Sequence, residues 1–158
     1  MNFKRANFSC LAVQNFVYVY GGISSGSTGG EAHRPILASM PIERFMPASN
    51  EWEELKIVGV PRLAAFSWCK IDEGSIIVLG GSDGNLLSSD MMIIDFKEEK
   101  VKHVQTDFDF STGCGHLVFR KSDSTLLHIG GFNSEGVNYQ MKLGDPRGIW
   151  SESKRRHS

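Results

Sequence analysis

The stretch Gly22-Ile23-Ser24-Ser25-Gly26 has the residue types and spacing of a nucleophile elbow, in which a serine between two glycines is exposed on a sharp turn after a strand. Asp95 and His116 follow in the chain order in which an acid and a base could activate that serine. The elbow also needs a helix directly after the serine, and Ser27-Thr28-Gly29-Gly30 favours a flexible loop instead. The sequence therefore predicts no catalytic serine.

The sequence also contains no motif typical of a metal site or a phosphate-binding loop. The five histidines are His33, His103, His116, His128 and His157. None of them has the HxH, HExxH or Cys/His spacing of a metal site. The glycine-rich segment 26–30 lacks the Lys and Ser/Thr that complete a phosphate loop. The acidic pair Asp107 and Asp109 fits a solvated turn without a general acid and base. We predict that the chain is not an enzyme and holds no cofactor or metal, with His128 a hydrogen-bonded core residue.

The elements that would position any site repeat along the chain. Four strand-forming residues followed by two glycines occur at 17–22, 76–81 and 126–131, so the first glycines stand 59 and 50 residues apart at positions 21, 80 and 130. Branched and aromatic side chains favour an extended backbone, and a glycine pair ends it where a positive φ or close approach is needed. This period predicts a repeated supersecondary unit, with Gly21, Gly22, Gly80, Gly81, Gly130 and Gly131 as structural residues.

The repeat extends beyond the glycines. Trp52 and Trp150 each stand seven residues after an apolar residue, as does Val101 in the middle unit. The distance from this position to the next diglycine is nearly constant, at 28 residues after Trp52 and 29 after Val101. The first unit differs by about ten extra residues in a polar, glycine-rich loop, which a repeat tolerates. We predict structural roles for both tryptophans, packed over glycines.

Hydrophobic patterning predicts four strands in each unit. The predicted strands are 8–13, 16–20, 41–46 and 51–57, then 64–71, 76–79, 91–96 and 101–104, then 115–120, 126–129, 138–143 and one around 149–150. Helix signals are poor, since the best candidate, 32–40, is closed at once by Pro41. The fold class predicted from these patterns is all-β with four-stranded antiparallel units.

These features together resemble the kelch repeat, the four-stranded blade of a β-propeller. The matching features are the apolar run with its diglycine, the turn Ser82-Asp83-Gly84, the apolar residue seven before Trp52 or Trp150, and Pro61-Arg62 at the start of the second unit. The usual Tyr-Asp pair is replaced by Phe45-Met46, Ile94-Asp95 and Leu143-Gly144. The resemblance implies a partial, three-bladed propeller with blades at 5–58, 62–106 and 111–150 and a polar tail at 151–158.

The resemblance also implies a binding surface. Kelch propellers build their ligand face from the loop after the diglycine and from the loop that joins successive blades. The matching positions are Ser24, Ser25 and Arg34 in the first unit, Arg62 at the blade junction, Asp83, Asn85, Ser88 and Ser89 in the second, and Asn133, Ser134 and Asn138 in the third. Polar loops on rigid blades suit a protein or peptide ligand. For any single residue, completing a turn is the simpler explanation.

Composition narrows the partners and the compartment. A formal net charge of −1 provides no field to attract nucleic acid or an anionic membrane. No apolar run reaches the roughly 18 to 20 residues that span a bilayer. Three cysteines without CxxC spacing indicate a reducing, cytoplasmic location, with Cys10, Cys69 and Cys114 as buried, inert thiols between blades.

The expected function is therefore a protein-interaction module within a larger propeller or assembly. The alternative is a fragment of a kelch-type enzyme such as a copper-radical oxidase or a sugar mutarotase, but the tyrosines, Tyr18, Tyr20 and Tyr139, lie near no ligand cluster in the sequence. Propellers close with about 4 to 8 blades, so three blades leave two apolar faces open. We expect a fragment of a longer product first, then a second copy that completes a ring, or a partner that supplies the missing blades.

Overall fold

A computed structural model describes residues 1–6, 8–24, 40–83, 86–107, 117–122, 124–130, 138–143 and 149–153. In these ranges the chain is all-β, with twelve strands in three antiparallel sheets of four strands each. Within each sheet the strands are neighbours in chain order. The described residues include no helix, and hence no helix long and apolar enough to cross a membrane.

The first sheet contains β1 (Ser9–Val13), β2 (Phe16–Tyr20), β3 (Ile42–Met46) and β4 (Glu51–Leu55). A two-residue turn joins β1 to β2, because Val13 pairs with Phe16. Gln14 has a φ of +55° in this turn, a left-handed conformation that tight hairpin turns require. The sequence-based turn at Gln14-Asn15 is confirmed.

The central sheet contains β5 (Ser67–Lys70), β6 (Ser75–Leu79), β7 (Met91–Asp95) and β8 (Lys100–Val104). The third sheet contains β9 (Leu117–Ser122), β10 (Thr125–Ile129), β11 (Tyr139–Lys142) and β12 (Trp150–Glu152). A register shift in the β9–β10 pairing falls between Thr125 and Leu126. All twelve strands lie at, or within a few residues of, the predicted positions, because apolar and branched runs mark the strands and turn residues or glycine pairs mark their ends.

The central sheet is packed between the other two. Ile76 and Val78 of β6 belong to a core shared with Tyr18 and Tyr20 of the first sheet. Their neighbours along the strand, Ile77 and Leu79, belong to a second core shared with the third sheet, whose members include Leu126, Met141 and Trp150. Successive side chains of a strand point to opposite faces, so a strand buried on both faces must be apolar throughout. This is why all of β6 is buried.

The three sheets repeat one structural unit, and the two faces of each sheet can be named by their neighbours in the chain. We call the face that packs on the sheet before it in the chain the leading face, and the other the trailing face. Leu126 and Trp150 lie on the leading face of the third sheet, and Val101 packs on the leading side of the central sheet. By the pairing of Phe45 with Trp52 and the alternation along β4, Trp52 lies on the leading face of the first sheet.

Candidate binding surface at the diglycine ends of the sheets

Each second strand ends in its glycine pair, and we call that end of a sheet its diglycine end. In the central sheet Leu79 pairs with Met91, and Met91 pairs with Val104. The loop from β6 to β7 and the linker that leaves β8 therefore both begin at this end. The first sheet is built in the same way, since Ile42, at the start of β3, pairs with Leu55, the last residue of β4. These loops and linkers form the candidate binding surface.

The linkers hold the diglycine ends by the same hydrogen bonds in two units. The backbones of Ala6 and Ile23 exchange two N–H···O bonds of 2.8 Å, and those of Ala64 and Ser82 exchange two of 2.9 Å. In each case the second residue directly follows the glycine pair. The chain at Ile23 is therefore paired and extended. A nucleophile elbow would instead turn sharply into a helix at this point.

Phenylalanines, and not the tryptophans, occupy the space that the glycines leave. Gly22 and Gly81 have φ of +97° and +103°, and a Cβ on either would lie 2.9 Å or 2.8 Å from the Cβ of Phe8 or Phe66 respectively. A Cβ on Gly21 would lie 2.4 Å from the ring of Phe66. The predicted packing of Trp52 and Trp150 over glycines is therefore wrong at Gly21, Gly22, Gly81 and Gly130.

The tryptophans lie further out in the sheets. Trp150 is buried, with its ring edge-on to His128 at a centroid distance of 5.9 Å. Trp52 is half-buried against the Phe45 ring at 5.0 Å. His128 is 4% exposed, which confirms that it is a core residue. It occupies the position of Val78, since each stands two residues before the first glycine of its unit.

The fourth strand of each sheet carries Trp52, Val101 or Trp150, and we call it the Trp-position strand. In all three units a linker residue lies next to this strand. Asn2 Nδ2 donates to the Trp52 carbonyl at 3.5 Å, and the Trp150 N–H donates to Asp107 Oδ1 at 3.3 Å. In the central unit a Cβ on Gly59 would lie 3.0 Å from Val101 Cγ1. The linkers are therefore equivalent parts of the repeat, and residues 1–6 occupy the position that the linker 58–64 occupies in the central unit.

The loop from Ser82 to Asp90 shows how the predicted polar residues are used. Asp83 Oδ1 accepts the Leu86 N–H at 2.8 Å, and Ser82 Oγ donates to the Leu86 carbonyl at 3.0 Å. Ser88 Oγ accepts the Asp90 N–H at 3.1 Å, and the Ser88 N–H donates to the Gly81 carbonyl at 2.7 Å. Asp83 and Ser88 thus brace the loop, which is the simpler role that the sequence already allowed.

The remaining predicted positions are only partly described. Arg62 and Ser89 are exposed, Ser24 is half-buried, and the carbonyl of Asn138 accepts the Ser153 N–H at 2.7 Å. Five predicted binding residues lie outside the described residues, as does the structural Gly131: Ser25, Arg34, Asn85, Asn133 and Ser134. A role in binding stays a prediction for every one of these positions.

Sequence reasoning missed two apolar residues in this loop. Leu86 is 72% exposed and Leu87 is 48% exposed, although leucine is among the residues most often buried. Consecutive leucines after a strand suggest the start of another strand. Only the folded loop shows that both leucines are exposed, and the one available signal was their position between Asp83 and Ser88.

The cysteines do not all behave as predicted. Cys69 is a buried free thiol in the core between the central and third sheets, and burial raises its pKa to about 11. Cys10 is exposed, so its predicted burial between blades was wrong. Its pairing with Val19 puts it on the leading face of the first sheet, where no described sheet packs. Cys114 lies outside the described residues.

The described residues supply little for catalysis. Asp95, weighed as a triad member, accepts the N–H groups of Lys97 and Glu98 with Oδ1 at 2.8 and 3.0 Å and so shapes the turn between β7 and β8. It pairs with Ser75, at the end of the central sheet opposite to the diglycine. No group of three or more His, Cys, Asp or Glu in the described ranges could hold a metal ion.

Comparisons with known proteins add no family assignment. No model of a protein family matches the chain, and no curated protein matches it. Kelch membership therefore stays a prediction.

Proposed function

We propose that the three sheets are successive blades of a kelch-type β-propeller, and that the chain is a protein-interaction module that binds a protein or peptide through its diglycine ends. One observation carries this proposal: in each of the three units a linker residue lies next to the strand of Trp52, Val101 or Trp150, and the central sheet is packed face to face between its neighbours. A propeller consists of four-stranded sheets packed face to face around an axis, and the face-to-face packing of three such sheets supports the proposal.

The construction of the diglycine end favours binding there. Tyr20 Oη donates to the Pro61 carbonyl at 2.8 Å, and its ring packs at 4.7 Å from that of Phe66. These contacts and the Ala64–Ser82 bridge fix the linker 58–66 against the first and central sheets, so the loops extend from a rigid base. Polar loops on rigid scaffolds are frequent sites of recognition. Among the described residues, no group of three or more His, Cys, Asp or Glu could hold a metal ion as an alternative site. We also propose a cytoplasmic location, which the free thiols of Cys10 and Cys69 support.

The experiment is a selection of binding peptides from a phage-displayed library of random dodecapeptides on the immobilised full chain. The binding site of each selected peptide is then mapped by hydrogen–deuterium exchange. We expect slower exchange in the loops and linkers of the diglycine ends, such as 62–66 and 82–90. Protection confined to the opposite ends of the sheets, or the absence of any selected peptide, would contradict the proposal.

The propeller part of the proposal concerns assembly. Trp52 and Phe45 are half-buried on a leading face, and the corresponding faces of the other two sheets are packed. We infer that this face takes a further blade, from a second copy or from a partner. Light scattering at micromolar concentration tests the second copy. A particle of about twice the 17.5 kDa chain mass supports it, and a well-folded monomer of the full chain contradicts it.

A further inference from the structure

The loop from Ser82 to Asp90 exposes apolar side chains that do not pack into the protein's own core. Leu86 and Leu87 are adjacent and are 72% and 48% exposed. Single exposed apolar residues are common on proteins, but neighbouring ones form a patch, and such patches mark interaction sites. In a loop free to rearrange, these side chains would be expected to fold back onto the sheet.

Hydrogen bonds hold the backbone of Leu86 in this exposed part of the loop. Asp83 Oδ1 accepts the Leu86 N–H, and the Leu86 carbonyl accepts from both the Asp83 N–H at 3.2 Å and Ser82 Oγ at 3.0 Å. The Gly80 N–H donates to the Asp90 carbonyl at 2.8 Å at the base of the loop. The backbone at Leu86 and at the base of the loop is therefore held by hydrogen bonds before any partner arrives, so association loses less conformational entropy.

The charges of the loop select the partner. Its nine residues include Asp83 and Asp90 and neither Lys nor Arg. Both aspartates are exposed and flank the leucines in the chain. A ligand that combines apolar side chains with positive charge would satisfy both features. An anionic lipid surface would be repelled by the same carboxylates.

We propose that Leu86 and Leu87 anchor a docking surface for a peptide segment of a protein partner, in which apolar side chains stand next to Lys or Arg. This inference rests on the proposed function and names the loop and the ligand chemistry. The leucines supply apolar contact area, and Asp90 supplies charge pairing. Asp83 is a positioning residue that holds the turn.

The test uses the peptides selected on the full chain from the dodecapeptide library. We expect the sequences to be rich in Leu, Ile or Phe beside Lys or Arg. Their affinity for the Leu86→Ser/Leu87→Ser variant should fall by about tenfold or more, as for truncation of a central interface residue. The matched control is Ile149→Ser, which removes another exposed apolar side chain, 38% exposed directly before β12 at the end of the third sheet opposite to the diglycine. It should leave the affinity unchanged.

A second variant tests the charge. Asp90→Asn keeps the shape of the side chain and removes one carboxylate, so the affinity for basic peptides should fall several-fold at low salt. The difference from the parent chain should shrink at 0.5 M KCl. Unchanged melting temperatures of both variants would show that the loop substitutions leave the fold intact, as expected for exposed side chains.

Four results would overturn the inference. Peptides that protect other diglycine loops and bind the double-serine variant as well as the parent would leave the proposed function standing and remove this docking surface. Selected peptides without basic residues, or with Asp and Glu, would refute the ligand chemistry. Leucine-dependent sedimentation with phosphatidylserine vesicles would assign the tip to lipid. Failure to select any peptide would overturn the proposed function together with this inference.

Discussion

Arg5 and Glu43 form an ion pair with 2.7 Å between Nη2 and Oε2, and both side chains are fully buried. Arg5 precedes Ala6 as Leu63 precedes Ala64, and the two alanines make equivalent backbone bridges. Glu43 pairs with Val19 as Met92 pairs with Val78. The first sheet therefore has a charged pair at positions where the central sheet has the apolar pair Leu63 and Met92, both in its core.

The ion pair predicts an asymmetric response to mutation. Arg5→Leu alone should destabilise the chain by about 3 to 5 kcal/mol, because it leaves the Glu43 carboxylate buried without its counter-ion. The double variant Arg5→Leu/Glu43→Met copies the central sheet and should recover most of that loss. Urea unfolding of the parent, both single variants and the double variant measures this. Equal destabilisation by the single and double variants would contradict the argument.

The two tryptophans should differ in what they contribute to stability. Trp150→Ala should lower the free energy of unfolding by about 3 to 5 kcal/mol, because the ring is buried in the core between two sheets. Trp52→Ala should lower it by about 1 to 2 kcal/mol at a concentration too low for a second copy to cover the ring, since the ring is half-buried in the single chain. Thermal and urea unfolding measure both values. A larger effect at Trp52 than at Trp150 would show that another chain covers the leading face of the first sheet.

Gly21 and Gly130 form a matched pair, with φ of +69° and +72°. Alanine at either position meets the same left-handed strain of about 1 to 2 kcal/mol. At Gly21 the new Cβ also meets Phe66 and the Leu63 carbonyl, whereas at Gly130 it meets no described atom within 4 Å. We expect Gly21→Ala to cost about 1 to 3 kcal/mol more than Gly130→Ala. Equal values in a calorimetric comparison would remove the crowding argument.

Cys69 and Cys10 should react with a thiol reagent at different rates. The measurement uses a Cys114→Ser variant, so that only these two thiols can be labelled. At pH 8 a thiol reagent should label Cys10 in the native chain and Cys69 only on unfolding, since Cys69 is buried. Burial also raises the pKa of Cys69 to about 11. The folded state therefore favours the neutral thiol, a stabilisation present below the unfolded thiol pKa and lost as the pH rises toward 11.

The pH dependence separates Cys69 from other groups. In the same background, stability should fall between pH 8 and pH 10, and Cys69→Ser should fall less because it has no thiol to ionise. Urea midpoints across this range provide the measurement. Identical slopes for the two chains would show that other groups cause the decline.

The strands could be predicted because their signals are local. The run of branched and aromatic residues in β2 and the glycines at 21 and 22 fix one strand end without any distant contact. The Arg5–Glu43 pair could not be predicted, since the partners are 38 residues apart and meet only when the linker crosses the sheet. The exposure of Cys10 depends on which faces are covered, and the exposure of Leu86 depends on hydrogen bonds within its loop. Neither exposure can be predicted from the type of the residue alone.

The burial of β6 on both faces also determines the order in which the chain should open. Each flanking sheet is supported from one side by another described sheet, whereas the central sheet is supported from two. In a one-dimensional stack the outermost units fray first, so amide protons of β4 and β12 should exchange through local opening. Those of β6 should exchange only when the whole chain unfolds. The loop that presents Leu86 and Leu87 is attached to β6, and so it should keep its shape after the flanks have begun to open.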